Sequence, residues 1–320
     1  MNRFIPAPAS IVTACALCLG AFQPSQAQNE AGVGLWTKNY ETAIAEAKSA
    51  GKDLILVFTS NSDVKICQVL DRDILNQPAF TGPMSEKYTL VRLNFPREKM
   101  DQPINEKVQN DLLKRAYRIS GFPTVIATDT EGRPFGMNGY QPVKPDEYAA
   151  TMLSMRETKK RRDEKFAVAK AVGGLEKAKL LAEGIPVLPG NLMGRYYRPQ
   201  MEALVENDPN NETGVVEKYS RILADVTYSQ QMEVLGNDVQ WGKMVKLTDQ
   251  YIIDNKLEGV EKQRALMNKF GVQRRQKDIA NSIATLIEVV KIDPKSASGK
   301  QAAKVLENLR AQKLQEDLLK

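Results

Sequence analysis

The segment DLILVFT, residues 53–59, limits the fold most strongly, because it is a continuous apolar run of strand length. A strand with one wet face would alternate, so this one calls for helices on both sides of a sheet. Its neighbours supply them. NYETAIAEAKSAGK places Tyr40, Ile44 and Ala47 on one helical face, with Gly51 as the stop. Asn61, Ser62 or Asp63 is placed to cap a helix running through Cys67 and Leu70 towards Leu75. YTLVRLNF, residues 88–95, reads as a second strand, followed by a polar loop with Pro96 and Pro103. NEKVQNDLLKRAYRIS then carries Val108, Leu112, Leu113 and Tyr117 at helical spacing. GFPTVIATDTEGRPFGMNGY divides into a strand, a turn at Glu131 and Gly132, and a strand ending at Tyr140. The order is that of an α/β layer.

Beyond Lys144 no strand signal recurs, so the 320 residues divide into an α/β part over 34–155 and an all-helical part over 156–320. The basic run RETKKRR, Arg156 to Arg162, reads as a solvated helix face joining the two. LVENDPNNETG and VVKIDPKSASG, starting at Leu204 and Val289, share an apolar pair, Asp-Pro and a later glycine. Each reads as a helix end, a stop and a new helix, which suits stacked helical hairpins. Trp241 and the pair Tyr196 and Tyr197 are expected in interhelix packing.

At the other end, Arg3 precedes the apolar IVTACALCLGAF, and PSQA then offers Ser25 and Ala27 as cleavage-site residues. This is the pattern of a secretory signal over residues 1–27. A lipoprotein cleavage box ending at Cys15 is the other reading, against which the apolar residues continue past that cysteine. Cleavage after Ala27 would remove Cys15 and Cys18 and leave Cys67 as the one thiol, expected in the periplasm or cell envelope. No internal disulfide could then form. The mature chain would hold 44 basic against 39 acidic residues, too mild a balance for a nucleic-acid footprint. The chain contains no histidine, which excludes Ser-His-Asp, Cys-His and His-zinc chemistry. Neither a metal nor a cofactor is expected, and the mature chain has no stretch suited to crossing a membrane.

The stretches LILVFTSNSDVKICQVLD and GFPTVIATDTEG, with a strand between them, resemble the thioredoxin-like family, in particular its exported members. That resemblance implies a cis bond before Pro123 and an active-site turn after the first long strand. The family's chemistry uses a thiolate at an exposed helix N-terminus, where the helix dipole lowers its pKa, and a second thiol one turn later. Aligned this way, Val64 occupies the place of the nucleophile and Cys67 that of the resolving cysteine. Asp63 stands for the usual Trp, and Val57 for a buried acid. A register three residues later would make Cys67 the first cysteine and Leu70 its partner, but QVLD fits the stretch after the second. Phe122 and Pro123 would flank the groove that holds extended peptides. The helical part resembles tetratricopeptide-like solenoids only loosely, a class that presents concave surfaces to other proteins.

These residues lead to an envelope protein without redox activity that binds or scaffolds an unidentified protein or peptide. The alternative is a monothiol disulfide oxidoreductase or isomerase using Cys67.

Overall fold

A computed structural model of the protein describes residues 33–60, 64–97 and 102–318. The leader pattern at 1–27, Cys15, Cys18 and the residues Asn61, Ser62 and Asp63 lie outside them. The α/β part comprises β1 (Trp36–Thr37), α1 (Tyr40–Ala50), β2 (Asp53–Thr59), α2 (Lys65–Leu70), a π-helical turn (Asp71–Leu75), α3 (Pro78–Lys87), β3 (Tyr88–Asn94), α4 (Ile104–Ala116), β4 (Thr124–Thr128) and β5 (Pro134–Asn138). Helices follow: α5 (Pro145–Ala169), α6 (Gly174–Gly184), α7 (Gly190–Tyr196), α8 (Arg198–Asn207), α9 (Val216–Asn237), α10 (Trp241–Asp254), α11 (Gly259–Arg275), α12 (Ile279–Ile292) and α13 (Ala297–Leu318). The α/β and all-helical classes are both as the sequence implies.

The strands lie in the order β1-β3-β2-β4-β5; β1, β3 and β2 run parallel, while β4 and β5 are antiparallel additions. β2 is central and wholly buried, which explains its unbroken apolar run. Leu54, Leu56 and Phe58 point to one face, where α1 and α4 supply Ala43, Ala47, Leu113 and Tyr117. Ile55 and Val57 point to the other, against Leu70, Phe80, Met84 and three residues of α5: Tyr148, Ala149 and Met152. Each large side chain so buried contributes about 1.5–3 kcal/mol. The expected stop of α1 is present, with Gly51 left-handed at φ 63° and Asn39 accepting from the Thr42 amide at the start.

Three local expectations need correction. The N-cap of α2 is Val64, which makes no side-chain cap hydrogen bond, and the capping candidates Asn61, Ser62 and Asp63 lie outside the described residues. In α4, Leu113 and Tyr117 are buried, but Val108 and Leu112 face solvent; helical spacing was met on two faces at once. The basic run is not a solvated face throughout. Arg156 Nη1 donates to Asp53 Oδ2 at 2.7 Å and to the Lys87 carbonyl at 3.0 Å, and Arg162 is only 1% exposed.

α5 spans 25 residues, about 37 Å at the helical rise, and runs unbroken through 155 and 156. Its first half floors the sheet. Its far end, at Ala169, joins an apolar cluster that runs from Phe58 and Ile126 through Leu181 and Leu204 to Tyr219. α7 approaches α9 so closely that a Cβ on Gly194 would lie 2.1 Å from Val226 Cγ2. From α9 to α13 each helix packs on the next, and Leu266, Leu286, Val289 and Leu306 form a separate core there. Both Asp-Pro stops fall where expected, after Asn207 and after Ile292, with the Asp208 carboxylate accepting from the Glu212 and Thr213 amides and Asp293 from that of Lys295.

Candidate functional site

The end of β2 is fixed by reciprocal bonds to the end of β3. Phe95 N donates to the Thr59 carbonyl at 2.8 Å, and Ser60 Oγ donates to the Phe95 carbonyl at 2.7 Å. Val64 N then donates to the Ser60 carbonyl at 3.0 Å, which sets the N-cap of α2 just beyond the sheet. The amides of Cys67 and Gln68 donate to the Val64 carbonyl at 2.8 and 3.3 Å. Val64 and Cys67 therefore face each other across one helical turn. Val64 is half-buried and Cys67 is 1% exposed. Among the described residues Cys67 is the only cysteine, and it is unpaired.

The turn carrying Phe122 and Pro123 comes to the same end of the sheet, because Phe58 is registered against Thr124. The Phe122–Pro123 bond is cis, as the resemblance implies. Both residues are half-buried. Phe122 stacks on Phe95 with centroids 5.0 Å apart, and Lys114 Nζ sits 5.1 Å from the Phe122 centroid and 5.4 Å from that of Phe95. From Phe95 the aromatic contacts continue to Phe58 at 6.3 Å, to Tyr117 at 5.9 Å and to Tyr196 at 5.4 Å. Aromatic packing thus links the turn to α7.

A second link lies at the opposite end of the sheet. Arg162 donates to Asp129 Oδ2 at 2.8 Å, to the Tyr197 hydroxyl at 3.0 Å and to Asp163 Oδ1 at 2.8 Å. Tyr197 in turn donates to the Pro134 carbonyl at 2.6 Å. Asp129 Oδ1 also accepts from the amides of Glu131 and Arg133, so the carboxylate that shapes the β4–β5 turn also anchors α5. Tyr117 donates to the Gly132 carbonyl at 2.8 Å, and Gly132 is left-handed, at φ 75°. A Cβ there would lie 2.9 Å from the Tyr40 hydroxyl oxygen. Burial raises the pKa of Tyr117, Tyr196 and Tyr197.

Residues 40–155 match the family model described as the thioredoxin-like domain. This part of the chain is a thioredoxin-like domain. Over 112 residues the chain is 28% identical to the disulfide bond reductase DsbH of Chlamydia pneumoniae, covering 35% of this chain and 67% of that protein. A solved structure of a DsbH oxidoreductase aligns at 25% identity over 42% of this chain and 92% of that one, with a TM-score of 0.37. The thioredoxin-like domain thus has a curated relative named for disulfide reduction, and a helical region follows it. Among the described residues no helix is long and apolar enough to cross a membrane, and no Cys, Asp and Glu group is arranged to hold a metal.

Sequence reasoning singled out Val64, Cys67, Phe122 and Pro123, and the sheet register brings their two turns to one end. It missed Lys114 and the joint at Arg162. Two partners of Arg162, Asp129 and Tyr197, lie 33 and 35 residues away, so only tertiary structure could reveal them.

Proposed function

We propose that the protein binds extended polypeptides in the cell envelope without performing dithiol exchange. Val64 carries the proposal: it occupies the N-terminus of α2, where the family's chemistry requires a thiolate, and an isopropyl group cannot attack sulfur. The thiol one turn later is buried, a setting in which cysteine acts as a small hydrophobe. Peptide capture needs only backbone and an apolar floor, which the turn at Phe122 and Pro123 offers. In this reading residues 34–155 supply the groove and residues 156–320 the scaffold. Export is supported by the leader pattern at residues 1–27.

The test compares wild-type and Cys67→Ser proteins for reduction of a model disulfide in the presence of excess thiol, and for binding of a fluorescent extended peptide. Neither protein should turn over the disulfide. Both should bind the peptide, and Phe122→Ala should weaken binding about tenfold, equivalent to about 1.4 kcal/mol. Turnover that depends on Cys67 would overturn the proposal.

A further inference from the structure

Where the thioredoxin-like domain meets the helical region, the surface beside Phe122 deepens into a recess. Lys114, Arg115, Arg118 and Asn191 line a shallow cavity of about 550 Å³. Arg118 and Asn191 also line the next one, of about 510 Å³, which continues past Arg195 to Arg264 on α11. The two cavities adjoin at Arg118 and Asn191, and this channel runs from Lys114, which lies over the aromatic pair, towards α11.

The charges in this channel are unequal in how they are satisfied. Its carboxylates have partners of their own: Asp111 pairs with Lys107, Asp225 accepts from the Tyr251 hydroxyl, and Glu261 lies 3.4 Å from Arg221. Among the described residues none of Lys114, Arg115, Arg195 and Arg264 is in an ion pair. Two of these cations are held in place by rings, Lys114 over Phe95 and Phe122, and Arg195 at 6.0 Å over Tyr196. Asp225 is in no ion pair either, so among the described residues the channel sets one such carboxylate against four such cations, two of them preorganised. Such a recess between low-dielectric walls concentrates anions.

We infer that this channel holds an acidic stretch of the bound polypeptide, continuing the strand-like segment gripped at Phe122 and Pro123. The inference rests on the peptide-binding reading given above and adds a sequence preference to it. A polypeptide fits better than a membrane surface, because the cations line a recess walled by two parts of the protein.

Arg118 provides a clean probe. It follows α4 in the left-handed region at φ 51°, where glycine is the less strained residue, so Arg118→Gly removes the charge without harming the backbone. Its one ion pair, to Glu233 at 3.7 Å, is exposed and contributes little. The full mature chain is titrated with labelled peptides of equal length that carry aspartate and glutamate, their amides, or lysine. The acidic peptide should bind about tenfold tighter than the amide version and lose that advantage at high salt. Arg118→Gly combined with Arg264→Gln should abolish the preference for the acidic peptide. If the amide peptide binds and responds to Phe122→Ala but acid adds nothing, the channel inference fails and the groove reading stands. Binding of no peptide at all sinks both. Anionic vesicles or single-stranded DNA that compete equally through the same arginines would overturn the assignment to polypeptide.

Discussion

The thioredoxin-like domain and the last helices of the chain are held together by different means. In the first, β2 pairs with β3 and with β4, and each partner lies far along the chain. Its strands therefore depend on partners distant in sequence. From α9 onward every helix packs on its sequence neighbour, so interactions there are local and separable. The difference accounts for the shared position of the turns at Val64 and Pro123: both are set by the long-range pairing of β2 with β3 and β4.

The strongest way to break this comparison is to open a cavity in each region. Phe58→Ala, at a fully buried position of β2, should cost about 3–5 kcal/mol. Hydrogen exchange should rise across the whole of residues 40–155. Leu286→Ala in α12 should cost about 2–5 kcal/mol but raise exchange only in α11 to α13. Equal spread in both variants would remove the distinction.

Arg162→Ala comes next. It leaves Asp129 with Arg133 as its remaining cation, at a cost of about 1.5–3 kcal/mol for the lost charged hydrogen bonds, and should split one denaturation transition into two as the joint between sheet and helices is lost. A single transition with an unchanged midpoint would show that apolar packing alone joins the regions. The tyrosines at that joint give a smaller effect with a definite sign. Because burial raises their pKa, the folded state keeps Tyr117, Tyr196 and Tyr197 protonated while the unfolded chain ionises near pH 10. Stability should be intact below that pH and fall as pH rises through it, with tyrosinate absorbance appearing together with loss of ellipticity. Tyr117→Phe, which removes the bond to the Gly132 carbonyl, should cost about 1 kcal/mol at neutral pH. Val64→Cys should change the stability of the reduced protein least, within about 0.5 kcal/mol, yet oxidation should join residues 64 and 67. Absence of that disulfide would mean the two side chains do not share the turn as described.

Much of the fold was legible because its signals are local. A doubly covered strand reads as an unbroken apolar run, Gly51 marks a helix end, and GFPT marks the turn at Pro123. The missing parts depend on distance. The π-helical turn at Asp71–Leu75 accompanies the ion pair of Asp71 with Arg92, 3.2 Å apart and 21 positions distant in sequence, and the adjacent Arg92 lies over Trp36. Arg162 is one cation in a run of them, and its burial follows from Asp129 and Tyr197. Val108 and Leu112 have the right period, but period does not say which face is covered. At the candidate site, the residue types at 64 and 67 were informative by themselves, whereas the channel cations gain meaning only once α7 and α11 stand opposite α4.

The continuity of α5 has a consequence for synthesis. All five strands are synthesised before Tyr148 and Met152, yet those two side chains complete the floor of the sheet, and the Tyr88 hydroxyl donates to the Met152 carbonyl. The nascent sheet therefore waits for a helix whose far end already belongs to the next region, so the groove and the helical stack come into register in a single act of assembly.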